Sequence, residues 1–173
     1  MEEINQYLTF RMDREEYALN VSNVREILEV PQITHIPRMP DYMAGVVNLR
    51  GSVVPLVDLK KKFSLAATEI RQDTAIIVLE IPLDQDSDRK ILTIGIFADA
   101  VHKVVTIERE QIEPPPNIGL RIDTAFIAGM GRVEGDFITI LAIEEILSAK
   151  ELEQTDIHDD GTSDDKPRTA SEN

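Results

Sequence analysis

The chain has 173 residues, 42% of them apolar, and a formal net charge of −14. That is enough apolar material for one domain with a real core, and a field of that sign repels a polyanion such as DNA. With no apolar run of about 18 residues and no basic-then-apolar leader, a membrane span and a secretory signal are not expected, and the lack of cysteine rules out disulfides and thiolate chemistry and fits a reducing cytoplasm.

Leu8, Phe10 and Met12 alternate with Tyr7, Thr9 and Arg11, the period of a half-buried strand. Asp13 to Glu16 reads as a turn, after which Tyr17-Ala18-Leu19 completes a hairpin. The period then changes. Val21, Val24, Ile27 and Leu28 fall three or four apart, Asn23 with Glu26 matches a capping box, and Pro31 ends the segment. This predicts a short helix over 21–28. Pro31, Pro37 and Pro40 punctuate an ordered loop or edge strand. Gly45 to Leu49 and Ser52 to Leu59 read as two strands around an Arg50-Gly51 turn, and Pro55 places the second at an edge or a bulge. Lys60-Lys61-Lys62 is the one basic cluster.

Thr74 to Ile81 is almost continuously apolar, as in a strand buried on both faces. A polar loop, 84–89, follows. Ile91 to Phe97 and Val101 to Ile107 are further strands, with Gly95 and Asp99 as candidate bends. Pro114-Pro115-Pro116 is a stiff connector. Phe126 to Arg132 and Phe137 to Ile143 form a hairpin around Gly135-Asp136, and a C-terminal helix opens at Ile143. Residues 151–173 hold eight acidic and two basic side chains. Residues 153–173 therefore read as a disordered acidic tail. Many short strands with frequent turns indicate a mainly β fold of barrels or a sandwich. No clear internal sequence repeat is visible, although each half has a Gly-rich hairpin followed by an extended apolar strand.

Catalytic and cofactor patterns do not assemble. No serine lies in a Gly-x-Ser-x-Gly elbow, and His35, His102 and His158 fall in a loop, beside a strand and in the tail. The glycines from Gly129 to Gly135 lead into a strand, whereas a phosphate loop must open a helix. Asp156, Asp159 and Asp160 hint at a calcium loop, but Pro167 stands where the closing glutamate belongs. The expectation is no enzyme, no metal and no cofactor.

Gly45-Val46-Val47-Asn48-Leu49-Arg50-Gly51, followed by Val53-Val54-Pro55-Leu56-Val57-Asp58-Leu59, resembles the CheW-like family of chemotaxis coupling proteins. So do Glu16 to Leu19 leading into Val24-Arg25-Glu26-Ile27, Gly95 to Val101, Ile112 to Pro116 and Phe126 to Gly131. The resemblance covers about residues 5–150. It implies two packed SH3-like five-stranded β-barrels within a domain over 1–152. The first would span mainly 15–80 and the second mainly 81–150, with the N-terminal strand free to cross between them. It also implies a non-catalytic, cytoplasmic adaptor recruited to receptor arrays at the inner membrane. Its partners would be the chemoreceptor cytoplasmic tip and the regulatory domain of the histidine kinase CheA, with no nucleic acid and no membrane insertion.

By the same resemblance, Val24, Glu26 and Arg50 match receptor-binding positions, and Val30, Ile33 and Gly45 match kinase-binding ones. Asn117-Ile118 stands where relatives often carry an acidic then an aromatic residue. The charge is lost and the apolar residue, Ile118, is kept, which implies a kinase-binding position whose contact is weaker or differently paired. Val24 reads equally as groove lining or as core. On a helix Val24 and Glu26 point different ways. Val30 and Ile33 read as an anchor on a rigid loop or as a satellite cluster beneath it. The alternatives are a β-barrel sensor for a small ligand, which soaks that raise the melting temperature would reveal, and an accessory coupler in another signalling system. Removing residues 154–173 is expected to leave both partner affinities unchanged by calorimetry at physiological salt; a large loss would make the tail a binding element.

Overall fold

The computed structural model describes residues 5–82, 91–115 and 122–147. The 84–89 loop, Pro116, Ile118 and the acidic tail with His158 lie outside the described residues. Eleven strands follow in order: β1 Gln6–Met12, β2 Glu15–Asn20, β3 Val24–Glu29, β4 Met43–Leu49, β5 Ser52–Val57, β6 Ala75–Pro82, β7 Ile91–Ala98, β8 Ala100–Thr106, β9 Ile112–Glu113, β10 Ile127–Val133 and β11 Asp136–Leu141. Two short helices, α1 Leu59–Lys62 and α2 Ile143–Ile146, follow β5 and β11.

The strands form two sheets, ordered β3-β6-β7-β5-β4 and β8-β1-β2-β11-β10-β9. They are the two SH3-like barrels, the second extended by the two-residue β9 to six strands rather than five. The expected division near residue 80 moves. β7 belongs with the first-half strands, while both β1 and β2 belong with the second half. The chain changes barrels between β2 and β3 and returns at the bend between β7 and β8, where Asp99 sits; Gly95, the other candidate bend, lies inside β7.

Three apolar clusters explain this arrangement. Val47, Val54, Leu56, Ile76, Val78 and Phe97 fill the first barrel. Ala18, Ile107, Ile138 and Ile140 fill the second. A larger cluster joins Phe10, Met12 and Leu19 of one sheet to Ile77, Leu79, Ile81 and Ile96 of the other. β6 is thus buried on both faces, with Ile76, Ile77, Val78 and Leu79 fully inaccessible. Its even residues look into the first barrel and its odd ones onto the second.

The helix expected over 21–28 is not formed. Asn20 accepts from Ser22 N–H and caps a single 3-10 turn, Val21–Asn23, after which the chain is strand β3. An edge strand on β6 satisfies backbone groups and barrel closure together, and this tertiary demand overrides a weak helical period. β5 also corrects expectation. It ends at Val57 and is internal, between β7 and β4. Its parallel pairing with β7 begins only at Leu56, so Pro55 lies just outside that ladder.

The pairing registers reveal an internal repeat that the sequence hides. Each barrel has an antiparallel hairpin (β4–β5, β10–β11), a parallel pairing of its second strand (β5 to β7, β11 to β2) and a short helix after it. Both hairpins carry a bulge at the same step, Met43/Gly45 and Ile127/Gly129. A Cβ on Gly45 would lie 2.4 Å from the Thr34 carbonyl oxygen, and one on Gly129 would lie 2.5 Å from Ile112 Cγ2. Both glycines therefore admit the returning chain, which makes the bridge Thr34–Val46 in one barrel and β9–β10 in the other.

Lys60 ties the barrels together. Its side chain is 8% exposed, and its Nζ lies 2.9 Å from Asp13 Oδ1 and 3.3 Å from Asp99 Oδ2. Asp99 Oδ2 also accepts the Asp13 N–H at 2.7 Å. The Lys60-Lys61-Lys62 cluster is therefore no open basic patch: Lys61 faces Asp41 at 3.5 Å and Lys62 lies over the Tyr42 ring. Burial pushes the Lys60 pKa down, but the two carboxylates outweigh it and the net direction is up. The pair's contribution is thus fully present below the ordinary lysine value and is lost as pH rises through the raised one. Lys60→Met should cost about 2 kcal/mol, mainly by taking the cation from half-buried Asp99, since Asp13 is solvent-exposed. Chemical denaturation should show that loss, with partial recovery when Asp99→Asn is added.

Candidate functional site

The β4–β5 connection is a two-residue turn with positive φ at both Arg50 (54°) and Gly51 (89°). That is the hairpin turn whose twist matches flanking strands, and Asn or Gly usually takes its first position. Asn48 Oδ1 accepts the Gly51 N–H at 3.0 Å and fixes the turn. Arg50 then reaches across the barrel to β3, at the opposite edge of the sheet. Its Nη1 donates to Glu26 Oε2 at 2.8 Å and its Nη2 to Glu26 Oε1 at 3.0 Å. The two edge elements of the first barrel are clasped by this bidentate pair.

Arg50 is 69% exposed and Glu26 23% exposed. The Arg50 hydrogen bonds hold the Glu26 carboxyl below the ordinary glutamate range, against a smaller opposing effect of desolvation. The same bonds raise Arg50. A depressed carboxylate contributes above its unfolded value and loses that contribution as pH falls through its folded value.

Val24 and Glu26 point apart, but not because of a helix. Val24 pairs with Leu79 and Glu26 with Val78, and the register shifts between them. The bulge at Arg25 turns two residues that would share a face to opposite faces. Val24 packs against the cluster between the barrels, whereas Glu26 follows Val78 and meets Arg50. Half-buried Val30 and Ile33 pack on the first barrel's interior cluster, with Ile33 directly over Gly45. The structure thus brings Val30, Ile33 and Gly45 together in one patch, separate from the Glu26–Arg50 clasp.

Asp58, the acid of the Pro-x-x-Asp-Leu element, is 5% exposed. Its oxygens accept the Lys60 N–H, the Thr68 N–H and the Thr68 hydroxyl, so it caps α1 and pins the following loop. Sequence reasoning missed this role, although an aspartate two residues before a lysine run is a legible cap. His35 is exposed in the loop before β4, and His102 on β8 lies 3.2 Å from Glu16. Among the described residues no group of three potential metal ligands converges, and no helix is long and apolar enough to cross a membrane.

Paired SH3-like barrels that share an apolar interface and present a clasped, charged hairpin define the class of fold. Within that class the match is specific. The family model of the CheW-like domain matches residues 6–151, and the chain belongs to that family. It is 32% identical over 151 residues to the chemotaxis protein CheW of Klebsiella aerogenes, covering 87% of this chain and 86% of that one. It is 34% identical over 146 residues to CheW of Helicobacter pylori, covering 84% and 83%. Among solved structures, the scaffolding protein TtCheW of Thermoanaerobacter tengcongensis superposes with a TM-score of 0.72 at 31% identity, covering 87% of this chain and 92% of that one.

Arg50→Ala should return the Glu26 carboxyl toward the ordinary glutamate range, as read by side-chain carboxyl NMR across a pH titration. An unchanged titration would mean that the clasp is not kept in solution.

Proposed function

We propose that the protein is a non-catalytic adaptor in bacterial chemotaxis, joining chemoreceptor cytoplasmic tips to the regulatory domain of the kinase CheA. It works in the cytoplasm, at receptor arrays beneath the inner membrane. The clasp is the receptor-facing site, with Arg50 and Glu26 as its polar contacts and Val24 at its margin. Val30, Ile33 and Gly45 form the kinase-facing surface, and Ile118, outside the described residues, is a further kinase contact by resemblance.

The observation that carries the reading is Arg50 itself. A large cation occupies a positive-φ position that suits Asn or Gly better, and most of its side chain faces solvent. A backbone choice of that kind points to a role beyond packing. The guanidinium fork is already oriented by Glu26, so little side-chain freedom is lost when a partner carboxylate approaches. Val30 and Ile33 sit on a loop tied by paired Thr34–Val46 backbone bonds of 2.9 Å, a rigid base for an apolar anchor.

Arg50→Ala should weaken binding of a receptor-tip fragment by about tenfold or more, the loss of one charge-assisted contact. Binding to the kinase regulatory domain and the melting temperature should barely change, because exposed ion pairs contribute about 0–1 kcal/mol to folding. Calorimetry with each partner checks this, and binding to neither by the parent chain would overturn the adaptor reading.

A further inference from the structure

The internal repeat places a second clasp, of opposite charge, on the second barrel. The β10–β11 turn has positive φ at Glu134 (53°) and Gly135 (85°), the places held by Arg50 and Gly51 in the first barrel. Glu134 Oε2 faces Lys103 Nζ, 3.7 Å away on the edge strand β8. Lys103 lies within a register shift of β8, between the paired residues Val101 and Val104, and Glu26 borders the one in β3. Acid and base have exchanged places.

The two clasps differ in closure. Glu26 and Arg50 make two short hydrogen bonds. Lys103 and Glu134 are 62% and 77% exposed and only in loose contact. Between β8 and the β10–β11 hairpin a groove of about 690 Å³ stays open, lined by Glu16, Val101, Lys103, Glu134, Asp136 and Phe137 among others. Its floor is held by buried Thr9, whose hydroxyl donates to the Lys103 carbonyl oxygen at 2.8 Å and accepts the Lys103 N–H at 3.2 Å. β8 is the terminal strand of its sheet, so among the described residues its outer edge is open to a further strand.

From this the geometry points to a second docking surface, which takes an extended segment of a partner protein carrying arginine or lysine beside apolar residues. Strand addition to β8 would supply the backbone bonds. The lining carries three carboxylates against one lysine and His102, which lies 3.2 Å from Glu16, and the whole chain is strongly acidic, so charge favours a cationic segment. Phe137 is 49% exposed, and Arg132 already lies over its ring at 4.9 Å, so the ring accepts a guanidinium. Because the Lys103–Glu134 pair is exposed, replacing lysine with a partner's arginine sacrifices little. The inference rests on the adaptor reading only in taking the first clasp as a docking site.

The test is an amide NMR titration of the full chain with the capped pentapeptide Val-Arg-Val-Arg-Val, with Val-Glu-Val-Glu-Val as control. Saturable shifts confined to residues 101–105 and 133–138 are expected from the arginine peptide alone. Glu134→Lys with Asp136→Lys should weaken them about tenfold or more, and Arg50→Ala should leave them unchanged. Shifts that never saturate, spread over the acidic surface or centre on the Arg50 hairpin would overturn the proposal. So would an equal response to the control, or concentration-dependent self-association in sedimentation with Arg50 of one copy filling the groove of another. None of these results measures binding of a receptor tip, which the Arg50→Ala calorimetry tests, so the two readings fail separately.

Discussion

A strand of nearly uniform apolar character cannot be satisfied by one core, and β6 imposes that constraint on the whole molecule. Its alternating side chains need two dry surfaces, one on each side of the sheet. The first barrel supplies one by curling over Ile76 and Val78. The second supplies the other by laying Phe10, Met12 and Leu19 against Ile77, Leu79 and Ile81. Neither barrel has its full apolar complement without its neighbour, which is why the interface cluster is larger than either interior.

Electrostatics work at the margins of that packing. Lys60, on α1 of the first barrel, holds Asp99 at the bend into the second barrel and Asp13 within it, so it fixes how the barrels meet. Glu26 and Arg50 lie at the far seam of the first barrel, where fixing the turn matters more than burying charge. The first arrangement is shielded and structural. The second is exposed, and it leaves an oriented guanidinium in solvent.

Much of this was legible in the residues. The hairpins, the doubly buried strand and the Arg50-Gly51 turn all follow from two-residue alternation and turn chemistry. The resemblance carried by the segments around that turn gave the double barrel. The 21–28 segment misled because Val24, Ile27 and Leu28 fit a helical period, while Val24, Leu28 and Val30 equally fit a strand interrupted by one charged residue. Only the demand of β6 for an edge partner decides between them. The clasp was half visible: Glu26 and Arg50 were marked by resemblance, but nothing local says that opposite sheet edges meet. The repeat was hidden because equivalent positions share geometry rather than identity. Arg50 answers to Glu134, and Asp58 to Ala142.

The crossing of the chain between barrels also orders events in time. β1 and β2 leave the ribosome before the rest of the domain, yet their partners β8 and β11 come about eighty residues or more later. The first barrel, whose strands run without interruption from β3 to β7, can close while synthesis continues. The N-terminal hairpin must wait with Phe10 and Met12 exposed until that barrel offers the outer face of β6 as a surface to rest on. The β1–β2 hairpin is therefore vulnerable during synthesis, and the apolar seam that later unites the barrels is first a shelter for an unfinished one.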